Sequence, residues 1–178
     1  MKNEEVLRPA SWKHDRDLFI TQAGIIAALY VVLTLVFAPF AFKEVQIRIS
    51  EMLTILPFFF PAAIPGLFLG CLVGNILGGA VLPDVVFGSL ATLIGAFGTY
   101  YVGRLFRAKD GATLVNYLIF GAFCPVVANA LIVPFILKYA YGVPMPIPLM
   151  MFTVGVGEIA SCAIFGVMLG RIVYKITA

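Results

Sequence analysis

Met52-Leu-Thr-Ile-Leu-Pro-Phe-Phe-Phe-Pro61-Ala-Ala-Ile-Pro65-Gly66 opens an uncharged run that continues to Pro83, and its reading decides how the chain is organised. As one helix, residues 52–83 would extend about 48 Å against a hydrocarbon core of about 30 Å, so the run must fold back or protrude. Pro61 and Pro65 remove helical donors and bias the residues before them away from helix, which places the fold-back there. The other uncharged runs are 18–42, 85–103, 111–137 and 139–157, the last continuing past Glu158 to Gly170. Splitting the long run therefore predicts an all-α membrane protein with six transmembrane helices.

Composition agrees with that class. Of 178 residues, 62% are hydrophobic and only 12% charged, with a mean hydropathy of +1.05, where a soluble domain carries about 25% charge. The first seventeen residues hold charges of mixed sign and precede a run without a signal-peptide cleavage pattern, so residues 1–17 read as a cytoplasmic segment and 18–178 as a single membrane domain. Basic residues test the number of spans independently. Lys2, Arg8, Lys13 and Arg16 precede the first run, Arg104, Arg107 and Lys109 follow the fourth span, and Arg171 and Lys175 close the chain. Six spans put all three clusters on the cytoplasmic side with both termini, as the positive-inside rule requires; five would not. The net charge of +3 is accounted for by these span ends and implies no nucleic-acid partner. Cys71, Cys124 and Cys162 lie in apolar runs and read as reduced packing residues.

Glu51, Asn75, Asp84, Asn129 and Glu158 interrupt the apolar background. A carboxylate at mid-bilayer costs about 3 kcal/mol on insertion scales, so such groups face a protein interior and mark a function. On the six-span topology all five fall in the outer half of the membrane, beneath connections that converge on the external face. With Arg48 they form the candidate solute-binding set. Phe40, Phe42, Phe58 and Tyr141 are candidate stacking partners. Carboxylates and amides beside aromatic faces suit a flat, nitrogen-rich solute, because charge-assisted bonds contribute about 1.5 to 3 kcal/mol each and a stacked base about 1 to 3 kcal/mol.

Structural alternatives stand beside these readings. Asn75 and Asn129 would serve equally as interhelical ties, Glu158 as the partner of Lys138, and Glu44, Arg48 and Glu51 as self-neutralising i,i+4 and i,i+3 pairs. The alternation from Val45 to Ser50 also fits an extended lid. Gly66, Gly70, Gly74 and Gly78, then Gly95, Thr99 and Gly103, then Gly166 and Gly170, form small-residue stripes suited to close helix packing. Ala23 and Ala27, beside Gly24 and Ala28, make a smooth patch that would dock a partner helix. No phosphate-binding loop occurs, the lone His14 lies in the basic tail, and no His or Cys cluster has metal-ligand spacing, so the chain reads as a non-enzymatic subunit without a metal or cofactor. Uphill import would then need an ion gradient or a motor on another polypeptide.

Arg48-Ile-Ser-Glu51, the Leu-Pro-Phe-Phe stretch ending at Phe59, Pro61-Ala-Ala-Ile-Pro-Gly66, Gly74-Asn75 with Gly78-Gly79, Leu82-Pro-Asp84 with Gly88-Ser-Leu-Ala-Thr92, Asn129-Ala-Leu-Ile-Val133 and Gly157-Glu158 occur in order. This series resembles the QueT family, the queuosine-precursor substrate-binding S components of energy-coupling factor (ECF) transporters. The resemblance implies a six-helix S-component bundle in the bacterial cytoplasmic membrane, a pocket opening outward, and a deazaguanine base as solute. It also implies partnership with a transmembrane coupling protein, EcfT, and two ATPase subunits. In that setting Ala23 and Ala27 match the small residues that face the coupling protein. The competing expectation is a stand-alone proton-coupled carrier with Glu158 and Asp84 as proton sites; an intramembrane enzyme lacks a nucleophile and base.

Overall fold

The computed structural model describes residues 16–37, 48–107 and 113–177. Among these residues the protein is entirely helical. Four helices are long and apolar enough to cross a membrane: α1 (Arg16–Val36), α4 (Asp84–Arg107), α5 (Leu114–Tyr139) and α6 (Ile147–Thr177). Two shorter apolar helices, α2 (Ile49–Phe58) and α3 (Ala63–Leu77), lie between α1 and α4. Residues 44–47 of the expected lid, together with Phe40, Phe42 and Lys109, lie outside the described residues, whereas Ile49 and Ser50 belong to the first turn of α2 and are helical, not extended.

The fold-back occurs where the prolines place it, but they do different work. Pro61 lies in the turn, where the Ala63 amide donates to the Phe60 carbonyl (3.1 Å) and Ile64 to Pro61 (3.1 Å). Pro65 sits in the first turn of α3, where a missing N–H is an unneeded donor. At the other end α3 stops at a Gly78 cap, and Gly79 takes φ +77° to begin the hairpin into α4. Gly78 thus ends the helix instead of extending its packing stripe.

α2 is wound as a 3₁₀ helix, with Glu51 N–H donating to the Arg48 carbonyl at 2.9 Å. Its ten residues therefore extend about 20 Å at 2.0 Å per residue, where an α-helix would extend about 15 Å. The tighter winding lets this short segment, which starts only at Ile49, reach deep into the protein. α2 touches each of the other five helices and is the centre of the bundle. Leu53 and Leu56 enter one apolar cluster with Ile26, Tyr30 and Leu67, while Ile55 and Phe58 enter another with Leu118, Ala122 and Val126.

Glycine contacts hold the surrounding helices close. A Cβ on Gly66 would sit 2.7 Å from the Ala23 carbonyl, and one on Gly70 2.7 Å from Tyr30 Cβ, so α1 and α3 meet backbone to backbone. Gly95 and Gly98 likewise accept Pro125 and Cys124 of α5. In lipid, where no hydrophobic effect draws helices together, this proximity supplies the dispersion contacts. The remaining face of α1 exposes Ile20, Ile25, Leu29, Val32 and Val36, as a bilayer-facing surface would.

Candidate functional site

Arg48, the α3–α4 hairpin and the α5–α6 connection meet around Asp84. Arg48, just before α2, places Nη2 3.3 Å and 3.2 Å from the two Asp84 carboxylate oxygens, and both side chains are buried. Tyr141, in the connection between α5 and α6, donates its hydroxyl to Asp84 Oδ2 at 3.0 Å and accepts from the Val81 amide at 3.4 Å. Burial and the adjacent Asp84 carboxylate push the Tyr141 phenol up to about 12, so it remains a donor across the physiological range. Asn75 reaches from the last turn of α3 to the Asp84 carbonyl at 3.3 Å. Asp84 also begins a π-wound turn, Asp84–Gly88; a Cβ on Gly88 would lie 2.6 Å from Asp84 Oδ1, so glycine leaves room for the carboxylate.

One to two turns deeper, Glu51 is fully buried. Its Oε1 accepts from Thr92 at 2.9 Å and from the Tyr30 hydroxyl. Glu158 on α6 lies directly ahead of a second π-wound stretch, Ile159–Gly166, and its Oε2 accepts from the Cys162 thiol at 3.3 Å. One ligand atom from each of Glu51, Glu158 and Cys162 lies within 4.8 Å of the others, a donor set able to hold a cation. Asn129 of α5 stands beside both carboxylates. Asn129 is within hydrogen-bonding reach of both acids, yet neither Glu51 Oε2 nor Asn129 Nδ2 completes a well-aligned bond. Buried polar atoms are almost always satisfied, so this pair of atoms marks a place where a solute can bond.

A thiol joins the two clusters. Cys71 Sγ accepts from Asn75 Nδ2 at 3.6 Å and, with the Thr92 proton given to Glu51, its thiol donates to Thr92 Oγ1 at 3.5 Å, which connects Asp84 through Asn75, Cys71 and Thr92 to Glu51. These bonds join five helices, α1 through Tyr30 and α6 through Cys162, and α5 places Asn129 beside both acids.

Glu51, Asn75, Asp84, Asn129, Glu158 and Arg48 are thus brought together, but in two roles. Arg48 forms its ion pair with Asp84, not the i,i+3 pair with Glu51 that a helical reading of 44–51 allows, because 48 precedes the helix. Lys138 donates to the Met145 carbonyl at 3.3 Å instead of pairing with Glu158. Phe58 is not a stacking partner. It ends α2 at the far side of the bundle, against Phe59 and Phe106, and Arg107 holds its carbonyl at 2.8 Å. Ala23 and Ala27 are half-buried against Gly66 and Gly70, while the adjacent Gly24 and Ala28 are exposed.

Tyr30, Thr92, Cys71 and Cys162 are site residues that sequence reasoning passed over. Tyr30 was accessible to it: with Ile26 and Thr34 it follows an i, i+4, i+8 face on α1. The two cysteines carried no such signal, since their packing role and their polar role look alike in an apolar run. A surface groove of about 420 Å³ between α4 and α5, lined by Pro83, Phe87, Leu131 and Phe135, is apolar and outward-facing, and does not share these groups.

A family model described as the QueT transporter matches residues 20–175. The chain belongs to the QueT transporter family. The queuosine precursor transporter QueT of Lactococcus lactis subsp. cremoris (strain MG1363) is 34% identical over 84 residues, which are 46% of this chain and 49% of that protein. The match thus spans about half the length of that QueT relative. No solved structure matches significantly.

Proposed function

We propose that this protein is the substrate-binding membrane subunit of an ECF-type importer. It captures a queuosine precursor, a deazaguanine base, from outside and delivers it through EcfT and two ATPases. The observation that carries this reading is the buried cluster of Glu51, Asn129 and Glu158 at the meeting point of α2, α5 and α6, where Glu51 Oε2 and Asn129 Nδ2 complete no well-aligned hydrogen bond. One needs a donor and the other an acceptor. The N–H edge and carbonyl of a guanine-like base offer both.

The topology belongs to the same proposal. α2 and α3 together fold into the bilayer as a short pair, giving six spans with both termini cytoplasmic, and the Asp84 end of the bundle faces outward. Its basic residues then follow the positive-inside rule. The small-residue face of α1, Ala23 and Ala27 with the exposed Gly24 and Ala28, receives the coupling protein.

Purified protein is expected to bind a deazaguanine base without ATP. Glu158→Gln is expected to weaken that binding at least about tenfold, the loss of a charge-assisted bond. Unchanged affinity removes Glu158 from the site. Uptake by liposomes holding this chain alone, driven by a pH gradient, overturns the subunit reading in favour of a proton-coupled carrier.

A further inference from the structure

The two oxygens of Glu51 are treated differently by the protein. Oε1 accepts from the Tyr30 hydroxyl of α1 and from Thr92 Oγ1 of α4 at 2.9 Å, whereas Oε2 completes no well-aligned bond. A carboxylate has about four acceptor positions, two on each oxygen, so these donors occupy Oε1 and leave Oε2 for another partner. The terminal torsion of a glutamate is broad, and a carboxylate held by one donor can pivot about that bond. Two donors reaching it from different helices fix its plane. Both donors are themselves held. Tyr30 is buried in an apolar cluster with Leu53, Leu56 and Leu67, and Gly70 makes room for it, since a Cβ there would lie 2.7 Å from Tyr30 Cβ. Thr92 is buried and β-branched, which restricts its χ1. The single hydroxyl proton of Tyr30 goes to Glu51, so Tyr30 acts on a solute through that carboxylate and not as a donor to it.

We propose that Tyr30 is a positioning residue: seconded by Thr92, it occupies Glu51 Oε1 and so presents Oε2 to the N–H edge of the solute. It thereby sets the preference for bases that carry an exocyclic amine. This role rests on the base-binding reading above. A base without the amine leaves Oε2 buried and unpaired, and a site built around such a bond rejects the analogue that lacks it. Without the Tyr30 hydroxyl the carboxylate turns about the Thr92 bond, Oε2 leaves its line to the amine, and the two bases become more nearly equal.

A deazaguanine and its analogue lacking the exocyclic amine provide the test. Each is titrated calorimetrically into the full-length protein in nanodiscs, for the unaltered chain and for Tyr30→Phe, which keeps the ring and loses the hydroxyl. The unaltered protein is expected to prefer the amino base at least about tenfold, and that preference to fall below about threefold in Tyr30→Phe. A packing defect would lower both affinities together and leave their ratio alone. A ratio in Tyr30→Phe equal to that of the unaltered protein, whether or not both affinities drop, overturns the positioning role and leaves base binding intact. Equal affinity of the unaltered protein for the two bases overturns it as well. Binding of neither base brings down the base-binding reading too. Should Tyr30→Phe fail to fold, Thr92→Val removes the second donor to the same oxygen and the same fall in ratio is expected of it; an unchanged ratio there overturns the proposal.

Discussion

Asp84 illustrates how a buried acid is answered by the protein's own side chains. It holds Arg48 and Tyr141, and its carbonyl holds Asn75, so it joins the approach to α2, the α3–α4 hairpin and the α5–α6 connection. Buried pairs add little net stability over apolar packing, but removing one partner is costly. Asp84→Asn takes away the charge that Arg48 faces, and a loss of about 3 kcal/mol is expected, read as a lower midpoint in denaturant titration. A midpoint equal to that of the unaltered protein would mean that the pair is not formed in solution. That Glu51, Glu158 and Asp84 belong to an interior was legible in the sequence, because an isolated carboxylate is intolerable in lipid. Which acid meets Arg48 was not, since all three candidates fall in the same half of the membrane by sequence and only packing separates them.

At the level of elements, the helix boundaries followed from apolar runs and prolines, whereas the winding of the helices did not. α2 is central, every residue from Ser50 to Phe58 except Met52 being buried, and it reaches the site by 3₁₀ extension. Both π-wound stretches begin at or beside an acid of the site, Asp84 and Glu158. Such insertions are common at functional sites, and their extra residue re-aims the side chains that follow. No periodicity in uniformly apolar stretches reveals them. α1 offers a test of the docking face. Gly24 has nothing within 4 Å of where a Cβ would lie, so Gly24→Leu is expected to leave solute affinity within about twofold. The same change is expected to abolish ATP-driven uptake by the assembled importer. Full uptake by Gly24→Leu would place the coupling protein elsewhere.

For the whole molecule, the proposed orientation rests on charge and its test is external. With the Asp84 end outward, Gly142→Cys in the α5–α6 connection is expected to react with a membrane-impermeant thiol reagent in intact cells, and Thr177→Cys near the C-terminus only after lysis. Labelling of both from outside would break the six-span topology. The unaltered protein, whose Cys71 and Cys162 are buried and Cys124 half-buried, serves as the control. Composition, charge asymmetry and the Pro61 fold-back were enough to read an all-helical membrane protein with its acids gathered at one end. Those properties depend on transfer free energies and backbone chemistry, which are local to each residue. The central place of α2, the thiol link through Cys71, and the division into an Arg48–Asp84 clamp and a Glu51–Glu158 pair emerged only in three dimensions. Each depends on which faces of six nearly uniform helices come into contact, and apolar surfaces carry no pattern that specifies this in advance.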